Sequence, residues 1–415
     1  MHFFAEMKIL ITQRELRHRC GTELFTIEVA KELRHRGHEV VVFCPRFGDL
    51  AQILLNSGVP VKSKLAEIPW CPDVIHGQHH LQAMSAMTHF GTTPGIYYCH
   101  GVSPWVERPP EHPRIASYVV MCKWMELRMY SEFGIPDAKV CTIPNFVNTA
   151  RFSRVRKPLQ QPTRALLFGN TCLPLETLGK LEESCRAAGI SLEKMGAGYG
   201  TLQPRPEMFL PEFDLVFATG KCAFEAIACG CAVITLLPGL GGQLVTPENV
   251  DHWVYSNFGP RYYTSAAAIG KEWLERELAN YSAISIAELT ETVRREYTLN
   301  ATVERLVTLY TNAVAFPRGN SQPDLEIVPY LEKMTREVDL MWAENARMES
   351  IKERCRELKL LNKKLRRSCD ISENYLRKRF IGRWFLNKIK VRQDRSSVYS
   401  ANGSAQPAKN DGPAL

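Results

Sequence analysis

The feature that most constrains this chain is an alternation that occurs twice. From Lys8 onward, short runs of β-branched and apolar residues alternate with stretches whose apolar positions recur at helical spacing, the signature of βαβ units and a parallel sheet. Lys8–Thr12 reads as the first strand. Residues 22–36 carry Leu24, Ile27, Ala30 and Leu33 on one helical face and stop at Gly37, and residues 39–44 read as the second strand. Residues 73–76, 96–100, 118–122 and 140–143 read as further strands, with helices over 81–89 and 123–133. The run Arg154-Val155-Arg156-Lys157-Pro158-Leu159-Gln160-Gln161-Pro162 is polar and proline-punctuated, as a linker should be. A second series follows, with strands at 164–168, 192–195, 214–218 and 232–237, helices at 175–188 and 223–229, and closing helices over 285–315. The predicted fold class is α/β, with two doubly wound Rossmann-like domains over residues 1–155 and 163–316, each long enough to bury its own core. Two such domains form a cleft at the carboxyl ends of their strands, where open α/β sheets bind ligands.

Past Phe316 the pattern changes to a long run rich in helix formers. Leu331, Val338 and Asn345 are seven apart, as are Met334, Met341, Met348 and Cys355, and the seam then shifts to Ile351, Leu358 and Leu365. That is coiled-coil spacing with one stutter. Residues 325–395 are expected to form a basic helical, coiled-coil extension, either a homo-oligomer through 325–368 or a helix docked along its own catalytic body. Residues 396–415, with Asn402, Gly403, Pro407, Gly412 and Pro413, read as a disordered tail.

Charge sharpens this division. The chain carries a net +8, yet residues 343–395 hold 17 basic against 7 acidic residues, so the remainder is close to neutral. An anionic partner therefore belongs to the extension, above all to residues 375–390. There, basic residues interleave with Phe380, Trp384, Phe385 and Leu386, as in a helix lying on an anionic membrane surface; a solvated helix with one packed face fits the pattern equally. Nucleic acid is not an expected partner, because no zinc-finger, RNA-recognition or helix-turn-helix signature is present. The 13 Cys are scattered, with only Cys229 and Cys231 close together, which argues against zinc and against a secreted disulfide scaffold. With no secretory leader and no long apolar run, the expectation is a cytoplasmic protein, peripheral on the inner face of the cell membrane if the extension binds lipid, with no metal and no cofactor.

The stretch Asp214 to Ile234 carries the most chemistry. It reads as a strand, a glycine turn, a short helix with one carboxylate, a glycine stop and another strand. Gly220 permits a tight turn, and the free N–H groups at the helix start form a site for a phosphate. Lys221 stands at that mouth, and Glu225, about one turn further, is spaced to accept two hydroxyls of a ribose. Plain βα packing with Glu225 in solvent accounts for the same residues, and the pattern alone leaves both readings open. Of the histidines at strand ends, His76, His79, His80 and His100, only His100 is singled out as a substrate contact; the others read as cleft-lining donors or satisfied polar residues. Asn145 and Asn148 either hold a turn or touch ligand.

Gly220, Glu225, Ala226, Ala228, Cys229, Gly230, Val233 and Ile234 make this stretch resemble the nucleotide-binding core of retaining glycosyltransferases of family 4 and their relatives with the GT-B fold, whose motif reads Glu, seven residues, Glu-Ala-Met-Ala-Cys-Gly, then a strand. Cys20-Gly21-Thr22-Glu23, Arg36-Gly37-His38-Glu39-Val40, Asp73-Val74-Ile75-His76, Tyr98-Cys99-His100-Gly101 and Pro144-Asn145-Phe146-Val147-Asn148 resemble further segments of that family, in order. The resemblance implies a glycosyltransferase of hexosyltransferase type that moves a sugar from a nucleotide-diphosphate sugar to a glycan or lipid-linked acceptor, without metal and with retention, as in cell-envelope polysaccharide synthesis. It implies that Glu225 holds the ribose, that His100 lies beside the donor sugar, and that Gly21 lets backbone approach the diphosphate. Two positions depart from the pattern: the first glutamate of the motif falls on Phe217, and the diphosphate arginine falls on Asn170, with no Lys before Lys180. Lys221, Arg14 or Arg19, and the backbone of Gly241 and Gly242 as an anion-binding nest, are expected to meet the leaving-group charge instead. The departures keep two rivals in play, a GT-B-like nucleotide-binding protein without transfer and a scaffold or nucleic-acid-binding protein acting through the basic helix.

Overall fold

The computed structural model describes residues 5–101, 105–170, 172–237, 239–259, 267–315 and 323–378. The first lobe is built on seven parallel strands, β1 (Lys8–Thr12), β2 (Glu39–Phe43), β3 (Val61–Lys62), β4 (Val74–Gly77), β5 (Gly95–Cys99), β6 (Ile115–Val120) and β7 (Val140–Thr142), in the order β3-β2-β1-β4-β5-β6-β7. Its helices are α1 (Gly21–His35), α2 (Asp49–Asn56), α3 (His80–His89) and α4 (Lys123–Phe133). The central strands are apolar on both faces because both are covered: Ile9 and Ile11 pack with Phe25, Val29 and Leu33 of α1, while Leu10 packs with Ile75 and Tyr97 on the other side. The strand order reverses between β1 and β4, so the ends of both, and the start of α1, open onto one crevice.

The second lobe runs β8 (Arg164–Phe168), α5 (Leu175–Ala187), β9 (Ser191–Met195), β10 (Leu215–Phe217), α6 (Gly220–Ala228), β11 (Ala232–Leu237), β12 (Leu240–Leu244), α7 (Val250–Tyr255), α8 (Lys271–Leu278) and α9 (Ala283–Glu296). Its five strands lie in the order β12-β11-β10-β8-β9, parallel except for β12 against β11. Strand β12 and helices α7 and α8 add to the elements expected from the sequence, and two further details differ. Helix α6 begins at Gly220, three residues early, because Thr219 is extended and Gly220 turns the chain at φ 55°. The last of the closing helices, α10 (Leu299–Val314), leaves its lobe: Leu299, Val303, Leu306, Val307 and Tyr310 are buried with Phe25, Val29 and Leu33 in the core of the first lobe. Its apolar stripe completes the face of the sheet that α1 leaves open.

Residues up to Tyr330 form one compact unit, and from Leu331 the chain forms another. The latter is the body of α11 (Pro323–Lys378), a continuous helix of 56 residues. No described helix is long and apolar enough to cross a membrane. The expected membrane-facing residues beyond Lys378, the tail 396–415 and residues 102–104 of the loop after His100 lie outside the described residues.

Candidate active site

On the first lobe, a chain of buried polar side chains runs beneath the crevice. Thr26 donates its hydroxyl to Gln13 Oε1 (2.9 Å) and accepts from Gln78 Nε2 (3.0 Å). Gln78 Nε2 is thereby committed as donor, so Gln78 Oε1 accepts from His100 Nε2. Burial, with His79 and His76 nearby, holds the His100 imidazole well below its ordinary pKa, so it is neutral with its proton on Nε2. Its ring stands edge-on to Phe25 at 4.8 Å and 4.7 Å from Tyr98. The neighbouring histidines are structural: His76 bonds Tyr310 through Nδ1 at 2.6 Å, and burial drives its pKa down to about 3. His79, at φ 58°, accepts from the Arg14 N–H and faces Glu107 at 3.5 Å. Gly21 opens α1 at the surface, where a Cβ would meet nothing within 4 Å. Glu23, in that first turn, is buried, and burial raises its pKa.

On the second lobe, a cavity of about 260 Å³ opens at the carboxyl ends of β8, β10 and β11, beside the start of α6. Phe168, Asn170, Tyr199, Phe217, Thr219 and Cys222 are among the described residues that line it, none of which is charged. Phe217 is fully buried 6.2 Å from Trp273, so an aromatic ring stands on the cavity wall where the resemblance places a carboxylate. Asn170, where the resemblance places an arginine, bridges the lobes: Nδ2 donates to the Arg19 carbonyl (3.3 Å) and Oδ1 accepts from the Ala197 N–H (3.2 Å). Arg19 itself reaches across to the Pro204 carbonyl at 3.2 Å.

The remaining predicted binding groups are not brought to this cavity. The Gly220 N–H is taken by the Asn257 carbonyl (3.1 Å). Gly241 and Gly242 form no open nest, because they belong to β12. The Gly241 N–H pairs with the Ala267 carbonyl, and a Cβ would strike Trp273 from Gly241 at 2.3 Å or Thr235 from Gly242 at 2.0 Å. Lys221 faces the first lobe instead, donating to Glu28 Oε2 (2.9 Å) and the Phe146 carbonyl (3.1 Å) over the Phe146 ring. A carboxylate and a ring face there take the place of the water that the lysine loses.

Glu225 is neither solvated nor open. It is 5% exposed, one turn from Lys221 on the buried face of α6. Around it stand Lys221, Glu28, Arg151 and Glu207; Arg151 ties Glu207 (2.9 Å) and Glu28 (3.5 Å) together. Three carboxylates share Lys221 and Arg151 there, and Arg205 reaches Glu207 from the exposed rim at 3.4 Å. Burial, with Glu28 and Glu207 adding to it against Lys221 and Arg151, pushes the Glu225 carboxyl up to about 7. Sequence reasoning missed Glu28, Arg151 and Glu207, although a Glu on the buried face of α1 was a readable signal.

Residues 20–151 match the Glycosyltransferase Family 4 model. The matched span holds Gly21, Glu28, Gln78, His100 and Arg151, the first-lobe half of the groups described above, and the chain resembles that family. Its fold is similar to that of a glycosyltransferase from Rickettsia africae ESF-5, at 14% identity and TM-score 0.56 over 76% of this chain and 100% of the other. It is also similar to Anabaena Alr3699/HepE, solved in complex with UDP-glucose, at 13% identity and TM-score 0.50 over 74% of this chain and 100% of that one. At such identities the likeness establishes the shared two-lobed GT-B fold. No curated protein matches the chain in sequence. Among the described residues, no group of three or more His, Cys, Asp or Glu is placed to hold a metal.

Proposed function

We propose that this protein is a glycosyltransferase that moves a sugar from a nucleotide-diphosphate donor to a glycan or lipid-linked acceptor, retaining the anomeric configuration and using no metal. The observation that carries the reading is the cavity of about 260 Å³ at the carboxyl ends of β8, β10 and β11, facing a first lobe that matches a glycosyltransferase family. UDP-glucose in Alr3699/HepE, a protein of the same fold, supports a nucleotide sugar as the donor class. In this reading the nucleotide occupies the neutral cavity, and the start of α6 and Arg19 meet the diphosphate, since charge grows on the departing phosphate in the transition state. Glu225 reaches the ribose when the lobes part and Lys221 releases Glu28. Neutral His100, oriented by Gln78, offers Nδ1 as an acceptor beside the sugar.

Titration calorimetry with UDP, GDP and ADP, followed by mass-spectrometric assay of the corresponding sugar donors, tests this. Binding of one nucleotide, weakened about tenfold or more by Arg19→Ala, and transfer or slow hydrolysis of its sugar are expected; no binding by any of them sinks the proposal. Phe217 and Asn170 favour a second reading, a nucleotide-binding relative without transfer, which predicts binding with no turnover on any donor. The basic extension supports delivery to an anionic membrane surface. Replacing Arg379, Arg383, Lys388 and Lys390 by Gln is expected to reduce flotation with vesicles rich in anionic lipid, and unchanged flotation removes that role.

A further inference from the structure

The seam of α11 has a symmetry beyond its heptads. Leu331 and Leu365 lie seventeen residues to either side of Met348, Val338 and Leu358 ten, and Met341 and Cys355 seven. Asn345 with Ile351 at three, and Met334 with Asn362 at fourteen, complete the series. The seam therefore reads the same in both directions from Met348, and the stutter sits at its centre. In a parallel, in-register pair and in an antiparallel pair centred on Met348 alike, the irregular steps of the two helices fall at one height, so the palindromic seam admits both arrangements and charge decides between them. In an antiparallel pair centred on Met348, each regular half faces the regular opposite half of its partner, with the stutter on the two-fold axis.

Exposure and charge agree with this. Leu331, Met348, Ile351, Leu358 and Leu365 are each about half exposed along the described helix, so these seam positions are uncovered, while Met334 and Met341 are partly buried. The half before Met348, residues 331–347, has four acidic and three basic residues, and the half after it, 349–365, has three acidic and six basic. A parallel pair stacks the basic half on its own copy, whereas an antiparallel pair sets it against the half of opposite sign. We propose that α11 joins two copies of this chain in an antiparallel coiled coil, with Met348 of each copy meeting at the axis. The seam runs along about 52 Å of helix, in two regular halves that meet at Met348.

The test uses the full-length protein. Sedimentation at low micromolar concentration is expected to give twice the 47.1 kDa of one chain, and Met348→Glu, which sets two carboxylates at the axis, is expected to return a monomer with unchanged helicity by circular dichroism. Under mild oxidation, Met348→Cys should form a 348–348 disulfide between copies and Met341→Cys a 341–355 disulfide, both mapped by mass spectrometry. A monomeric wild type, a dimer that survives Met348→Glu, or a 355–355 disulfide in the wild type, which marks a parallel register, overturns the proposal.

Discussion

Replacing Glu225 by Gln isolates the effect of burying its carboxyl between the lobes. A carboxyl whose pKa rises from an ordinary 4.5 to about 7 on folding binds a proton as the protein folds. Between those values the native state holds a proton that the unfolded chain has lost, so stability falls as pH rises through that window and is flat above about 7. The gap corresponds to about 3 kcal/mol, an upper figure because the unfolded chain and the opened lobes both relax it. Gln keeps the shape and never ionises. Glu225→Gln is therefore expected to match the wild type near pH 3.5, below the ordinary carboxyl value, where the side chain is neutral in both states, and to exceed it by up to about 3 kcal/mol at pH 8. Urea denaturation followed by intrinsic fluorescence at the two pH values, with Trp253 and Trp273 buried in the second lobe as reporters, measures this. A variant less stable than the wild type at pH 8, or an equal offset at both, would show that Glu225 is ionised and held by Lys221 and Arg151, and would refute the reasoning.

Other perturbations address separate parts of the molecule. Lys221→Met leaves Glu28 with only the longer contact to Arg151 at 3.5 Å and is expected to cost about 3 kcal/mol, with Glu28→Gln added to it recovering much of the loss in a double-mutant cycle by chemical denaturation. Gly242→Ala drives a methyl into Thr235 and should lower stability by about 1–3 kcal/mol in thermal melts, whereas Gly21→Ala, with open space around it, should leave the melting temperature in place and weaken only donor binding. His100→Ala is expected to reduce transfer by about 10²-fold; Gln78→Leu, which frees the ring without removing it, should reduce it less and shift the pH–rate profile, and a profile unmoved by Gln78→Leu would show that the hydrogen bond does not set the tautomer.

Most strands were legible because a parallel strand covered on both faces must read as an apolar run, as Ile9-Leu10-Ile11 and Val40-Val41-Val42 do. Strand β12 was not, since Leu240-Gly241-Gly242-Gln243-Leu244 offers two glycines where a strand usually offers β-branched residues, and only the bulk of Trp273 and Thr235 explains why nothing larger fits. The stripe of α10 was visible, but periodicity reports that a helix has a buried face and not whose core receives it. The site shows the same limit. Glu225 and His100 stood out by their neighbours in sequence, while what governs them, Glu28, Arg151 and Glu207 around one and the Gln78–Thr26–Gln13 relay behind the other, comes from segments far apart in the chain.

The crossing of α10 has a consequence for the order of events during synthesis. The first lobe emerges first from the ribosome, yet one face of its sheet stays uncovered until the stripe of α10 from Leu299 through Val303 to Tyr310 has been made, and His76 has no hydroxyl to meet until Tyr310 arrives.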